Sequence, residues 1–201
     1  MKKILLIVFL SALLSGCFST PAVTVNNICN LMDEEVSWYH AVKASEKKYG
    51  SPAHVQLAIM YQESRFASDA KPPREKLFGV VPWFRPTTAY GFAQATDGTW
   101  DWYQKATGNK NADRDNFEDA ADFVGWYVNQ TSKRLGVSKS DTYNQYLAYH
   151  EGHGGFNSKS YKKKPWLIKV ARKVDDNAKR YKQQFKQCSS ALDSNSIWRF
   201  F

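Results

Sequence analysis

SPAHVQLAIMYQESRF, residues 51–66, is the stretch whose reading decides the fold. Ser51 is a good N-cap, and Pro52 suits the first helical position, where its missing N–H leaves no bond unmade. Val55, Ala58, Ile59 and Gln62 trace one helical stripe, and Leu57, Met60 and Tyr61 widen it until little polar face remains. A helix apolar on most sides lies inside a domain. That puts Glu63 at the edge of the interior, where desolvation disfavours the charged form and raises its pKa. A carboxyl group kept protonated near neutral pH can give a proton to a leaving oxygen. Glu63 is therefore the lead catalytic candidate, set against the plainer reading of a helix-end glutamate reaching water.

Outward from this segment the chain reads as helix after helix. Asp33 to Tyr49 has Val36, Tyr39 and Val42 on one face and Gly50 as a stop. Trp100 to Thr107 can be capped by Asp97 or Thr99 and stopped by Gly108. Asp115 and Glu118 have capping-box spacing ahead of Phe117 to Leu135, which Gly136 ends. Asp141 to His150 runs into EGHGG, and a long basic helix spans about Pro165 to Gln187. Period-two strands are scarce, so the pattern predicts one mostly α domain. Asp69 to Thr88 interrupts it: Pro72, Pro73, Pro82 and Pro86 leave no sustained period. Leu77, Phe78, Val80, Val81, Trp83 and Phe84 argue against disorder, so this is a long ordered loop or lid.

The chain begins MKKILLIVFLSALLSGC, two lysines and an apolar run from Ile4 to Leu14 that is short for a bilayer span and reads as a secretory signal. Leu14-Ser15-Gly16-Cys17 is similar to the bacterial lipoprotein cleavage box, which makes Cys17 an acylated first residue and a membrane anchor. Phe18 replaces the aspartate often used for inner-membrane retention, so the expected address is the outer membrane, facing the periplasm. Removal of Lys2 and Lys3 takes the formal net charge from +9 to +7. Export makes a disulfide tenable. With Cys17 acylated, Cys29 and Cys188 are left to pair; the bridge would close nearly the whole domain and contribute about 4 to 5 kcal/mol in the chain-entropy treatment. Two free buried thiols are the alternative.

Three short motifs follow in order: Glu63-Ser64, Gly91-Phe92-Ala93-Gln94, and Ala148-Tyr149-His150-Glu151-Gly152-His153-Gly154. In this the chain resembles the lytic transglycosylases of the soluble-lytic-transglycosylase (SLT) domain family, whose signatures are a Glu-Ser pair, a Gly-x-x-Gln turn and an Ala-Tyr-Asn segment running into glycines. The resemblance covers about Asp33 to Arg180. It implies an all-α, lysozyme-like single domain of the goose-type lysozyme and lytic transglycosylase kind, acting on peptidoglycan glycan strands without a cofactor. It makes Glu63 the acid and base and gives Tyr149 a hydrogen bond to its carboxyl group. Ser64, Tyr90, Gly91, Gln94 and His150 would hold the glycan. Residues 1–16 are then a signal peptide, 17–32 a lipidated tether, 33–188 the catalytic domain and 189–201 a C-terminal tail. Two features depart from the family's pattern: His150 stands where asparagine is usual, and the segment between Glu63 and Gly91 is longer.

Ordinary glycosidases use two carboxylates, whereas substrate-assisted ones use one with the sugar's 2-acetamido group. Asp69, Glu75, Asp97 and Glu151 are eligible by type, but none has an obvious partner spacing. The single acid fits the family's chemistry, in which cleavage between N-acetylmuramic acid and N-acetylglucosamine leaves a 1,6-anhydro end. A muramidase that hydrolyses the same bond, and a wall-binding lipoprotein without turnover, are the competing readings. His150-Glu151-Gly152-His153 lacks the His-Glu-x-x-His spacing of a zinc helix, so no metal site is expected. The basic end, KSYKKKPW at residues 159–166 and the lysines after it, would suit nucleic acid in a cytosolic chain. Export redirects it to solvent, anionic wall or headgroups, or other wall machinery.

Overall fold

The computed structural model describes residues 25–77 and 79–198, with side chains described up to residue 194. The expected signal peptide, Cys17, the start of the tether, Phe78 and residues 199–201 lie outside the described residues.

Among the described residues the chain forms α1 (Ile28–Glu34), α2 (Val36–Tyr49), α3 (Ala53–Ser64), a two-stranded ribbon of β1 (Lys76–Leu77) and β2 (Val81–Pro82), α4 (Asp97–Thr107), α5 (Phe117–Leu135), α6 (Thr142–Asn157), a 3-10 turn (Ser160–Lys163) and α7 (Pro165–Trp198). The architecture is mostly α, as the periodicity predicts.

α3 is the central helix. Val55, Leu57, Ala58, Ile59 and Met60 are all fully buried, which explains why no single stripe dominates its sequence. α2 packs along α5, and α7 runs across α1, α3 and α6. Its Leu167, Ala171, Val174, Ala178 and Tyr181, alternately four and three residues apart, form the buried stripe of an otherwise basic helix. Trp38 of α2 stacks on Phe117 at 4.1 Å and 3° and meets Phe92 edge-on at 5.4 Å, so one indole joins α2, α5 and the turn after the ribbon. Half-buried Asp122 accepts from Tyr49 and Tyr103 hydroxyls at 2.9 and 2.8 Å, fastening α2 and α4 to α5.

Several boundaries differ from the sequence reading. Ser51 is not the cap of α3. Pro52, with extended ψ of 136°, is the N-cap, and Ser51 is wholly buried. The expected tether already turns helical at Ile28, where the Asn27 side chain accepts from the Cys29 N–H; Ile28, Leu31 and Met32 are its buried face. Glu35, at φ −111° and ψ 65°, then separates α1 from α2, so Asp33 to Tyr49 is two helices instead of one. Thr96, not Asp97 or Thr99, is the N-cap residue of α4, while Asp97 pairs with Arg114 at 2.9 Å. Asn116 caps α5 by accepting from the Glu118 and Asp119 N–H groups, and Asp115 instead accepts from the Tyr90 hydroxyl. α6 passes beyond His150 to Asn157 through a break at Gly152 (φ 72°, ψ 164°), a conformation open to glycine and costly for other residues. The tail continues α7: Leu192 is buried, and Asp193 accepts from the Tyr39 hydroxyl at 2.7 Å. Cys29 and Cys188 form the expected disulfide, tying α1 to α7 with Cα atoms 6.0 Å apart.

Candidate active site

Glu63 occupies the last turn of α3. Arg65 and Phe66 after it both adopt left-handed backbone, with φ of 52° and 61°, and Gln94 does so at 48°. Left-handed backbone is costly for residues with a Cβ and is concentrated at functional sites. Here it ends the helix abruptly beside the glutamate and turns Phe66 into the core.

The carboxyl group faces a cleft of about 420 Å³ lined also by Gln94, Thr99, Phe123, Tyr127, Tyr149, His150 and Glu151, with Pro72 and Thr87 from the long loop and Ala89 just after it. Glu63 as a whole keeps partial contact with the cleft, but its Oε1 is shut off from solvent and finds no hydrogen-bond partner among the described residues. Burial pushes its pKa up from 4.5 to about 7, against a smaller downward pull from a hydrogen bond with Tyr146. The carboxyl is thus poised to be protonated near neutral pH.

Tyr149 does not make the bond the resemblance implied. Its hydroxyl donates to the Ala93 carbonyl at 2.6 Å, fixing the Gly91–Gln94 turn against α6. The partner of Glu63 is Tyr146, one helical turn earlier, whose own pKa is raised by burial and then by the Glu63 charge. Both tyrosines lie on the α6 face toward Glu63, since residues three apart are neighbours on a helix. Tyr146→Phe is expected to move the alkaline limb of the pH–rate profile upward, because the lost bond had favoured the ionised carboxyl. It should also slow turnover roughly tenfold, the worth of one such bond. An unmoved limb measured by turbidity loss of sacculi across pH would show that Tyr146 does not tune Glu63.

Gly91 has φ of 76°, and a Cβ there would sit 2.0 Å from the Arg114 carbonyl oxygen, so the turn is closed to any other residue. Gln94 Nε2 spends both hydrogens on Ala70 and Gly91 carbonyls, at 2.8 and 2.9 Å. Its side-chain oxygen is what it can offer a ligand. Ser64 is buried and donates to the Phe92 carbonyl at 2.8 Å, which makes it a strut between α3 and the turn. Tyr90 stands beside the turn, not in the cleft lining, with its ring beneath Lys71 and its hydroxyl on Asp115. His150 does line the cleft, and its ring meets exposed Trp166 edge-on at 5.3 Å.

Glu151 is the feature that sequence spacing did not mark. Its side chain is 3% exposed and receives Lys164 Nζ at 2.7 Å, His150 Nδ1 at 3.1 Å and the Ser160 hydroxyl. Burial alone would raise its pKa, but these hydrogen bonds outweigh burial and hold it at about 2. His153 turns the other way, stacking on Tyr127 at 4.8 Å and sharing a hydrogen bond with the Thr131 hydroxyl.

Fold and site together define a helical domain with a tyrosine-walled cleft around one acid of raised pKa. The Transglycosylase SLT domain family model matches residues 5–188, and the chain belongs to that family. Membership places it among peptidoglycan-degrading enzymes with the all-α, lysozyme-like fold. No curated protein matches the chain by sequence.

Proposed function

We propose that this protein cleaves the β-1,4 bond between N-acetylmuramic acid and N-acetylglucosamine by lytic transglycosylation, with Glu63 as the single acid and base. The observation that carries this reading is the Glu63 carboxyl at the cleft, pushed up to about 7 by burial. Protonated Glu63 gives its proton to the glycosidic oxygen, and the bond to the anomeric carbon breaks. The sugar's acetamido carbonyl shares the positive charge that develops. Glu63, now ionised, takes the proton of the 6-hydroxyl as that oxygen closes on the anomeric carbon, giving a 1,6-anhydro end and restoring the acid. Tyr146 orients the carboxyl, and Tyr149 and Gln94 hold the turn opposite it. Acylation at Cys17 would keep the enzyme on the outer membrane facing the wall.

The second reading, hydrolysis, is favoured by one observation: Glu151 lines the same cleft as an ionised carboxylate. A group with a pKa of about 2 is a weak base, and Lys164, Ser160 and His150 already occupy its oxygens. It is better suited to orienting His150 than to drawing a proton from water. Mass spectrometry of the products released from sacculi distinguishes the two. Transglycosylation yields muropeptides with 1,6-anhydro-N-acetylmuramic acid ends, whereas reducing ends heavier by one water would establish hydrolysis. Absence of any release would favour a wall-binding role.

A further inference from the structure

The segment between Pro73 and Thr88 projects from the domain, and every described residue in it is exposed. Its core, Leu77-Phe78-Gly79-Val80-Val81-Pro82-Trp83-Phe84, is eight residues without a charged or hydrogen-bonding side chain apart from the indole N–H. Val80 is 74% exposed, and Val81, Trp83 and Phe84 are each at least 50% exposed. Such a patch on a folded monomer marks a surface that something covers. The segment is nonetheless built to hold its shape. β1 and β2 pair with Leu77 opposite Val81; Glu75 and Trp83 continue the pairing at 2.7 Å, Arg74 donates to the Trp83 carbonyl, and Arg85 donates to that of Pro72.

We infer that this ribbon is an interfacial membrane anchor that inserts its apolar tip into a bilayer containing anionic lipid. Leu77 and Val81 share one face of the ribbon, and Trp83 and Phe84, adjacent in extended chain, fall on opposite faces, so apolar surface wraps the tip. A bilayer matches that shape. A glycan strand calls for hydroxyl, amide or carboxyl side chains beside the rings, and residues 77–84 carry none. Behind the tip, Lys71, Arg74, Lys76 and Arg85 are exposed against one acid, Glu75. Cations behind an apolar, Trp- and Phe-bearing tip are the arrangement that binds anionic headgroups while the tip enters the acyl boundary. Because Thr87 of the segment and Pro72 and Ala89 at its two ends line the cleft, insertion would set the cleft at a fixed distance from the membrane.

The test uses residues 18–201, which keep every described element and carry no acyl chain, in the Glu63→Gln background so that the result is independent of catalysis. Sedimentation with vesicles of phosphatidylethanolamine and phosphatidylglycerol is expected, weaker on pure phosphatidylcholine and reduced by salt. Val80→Ser/Val81→Ser/Trp83→Ser/Phe84→Ser is expected to lower the bound fraction at least about tenfold, with an unchanged circular dichroism spectrum. If that variant misfolds, quenching by brominated lipid should be present in the parent and diminished in Trp83→Ser alone. Equal sedimentation of parent and folded variant would overturn the inference. So would a variant whose loss is confined to sacculus binding, which assigns the tip to glycan, or a tip-dependent dimer by light scattering, which assigns it to a second copy.

Discussion

Glu63→Gln is expected to lower the lysis of purified sacculi by between ~100-fold and ~10⁴-fold, the range spanned by removal of a positioned general acid and base. The amide keeps the shape of the side chain and cannot deliver a proton. In the parent, activity should fall as pH rises through about 7, because the first step uses the protonated carboxyl. Stability supplies an independent sign. The folded-state pKa lies above the unfolded one, so the folded protein holds the proton more tightly. The stability this contributes is complete below about 4.5 and is lost as pH rises through about 7. At pH 8 the parent thus carries a buried carboxylate at a cost of up to about 3 kcal/mol. Glu63→Gln should raise the melting temperature at pH 8 and leave it nearly unchanged at pH 4. A variant that lyses sacculi like the parent would remove Glu63 from the mechanism. A variant that is inactive but less stable at pH 8 would mean that the glutamate holds the fold instead of serving the cleft.

What the sequence could disclose depended on whether the cause was local. The apolar run of residues 57–60 beside Val55 needs no partner to be recognised as buried, and from it both the mostly α fold and the raised pKa of Glu63 follow. Pairing of Cys29 with Cys188 was legible by elimination alone. Cap positions slipped by a residue wherever two candidates adjoined, as at Asp115 and Asn116, because the choice turns on backbone angles that tertiary packing sets. The site was harder to read. Ser64 and Tyr149 point to carbonyls of the Gly91 turn, which no spacing along the chain reveals. Tyr146 had a readable signal, one helical turn ahead of Tyr149 on the same face. Glu151 had none, since its three partners come from a neighbouring residue, a 3-10 turn and the start of a helix that meet only in the fold. The ribbon's apolar composition was plain, but only the structure shows it facing outward.

Cys29→Ser/Cys188→Ser is expected to destabilise the protein by about 5 kcal/mol, the chain-entropy value for a bridge between residues 159 positions apart. That is a large share of the stability of an ordinary domain, and it corresponds to a fall in melting temperature of about 10 to 20 °C for a chain of this size. The effect acts through the unfolded state. The reduced chain can expand further, so its urea unfolding should show both a lower midpoint and a steeper dependence on denaturant. Locally, α1 has seven residues, too few to persist alone, and its Ile28 N–H is held by Gln184 of α7 at 3.0 Å. Without the covalent tie, α1 and the end of α7 should exchange amide hydrogens sooner than α3 and α5, which keep their packing on each other and on α2. The bridge touches no residue of the cleft, so turnover at 25 °C should be unchanged in the folded fraction. Coincident urea midpoints with and without reductant would show that the bridge contributes nothing. Loss of turnover in a still-folded variant would show that α1 and α7 bear on the cleft through α3.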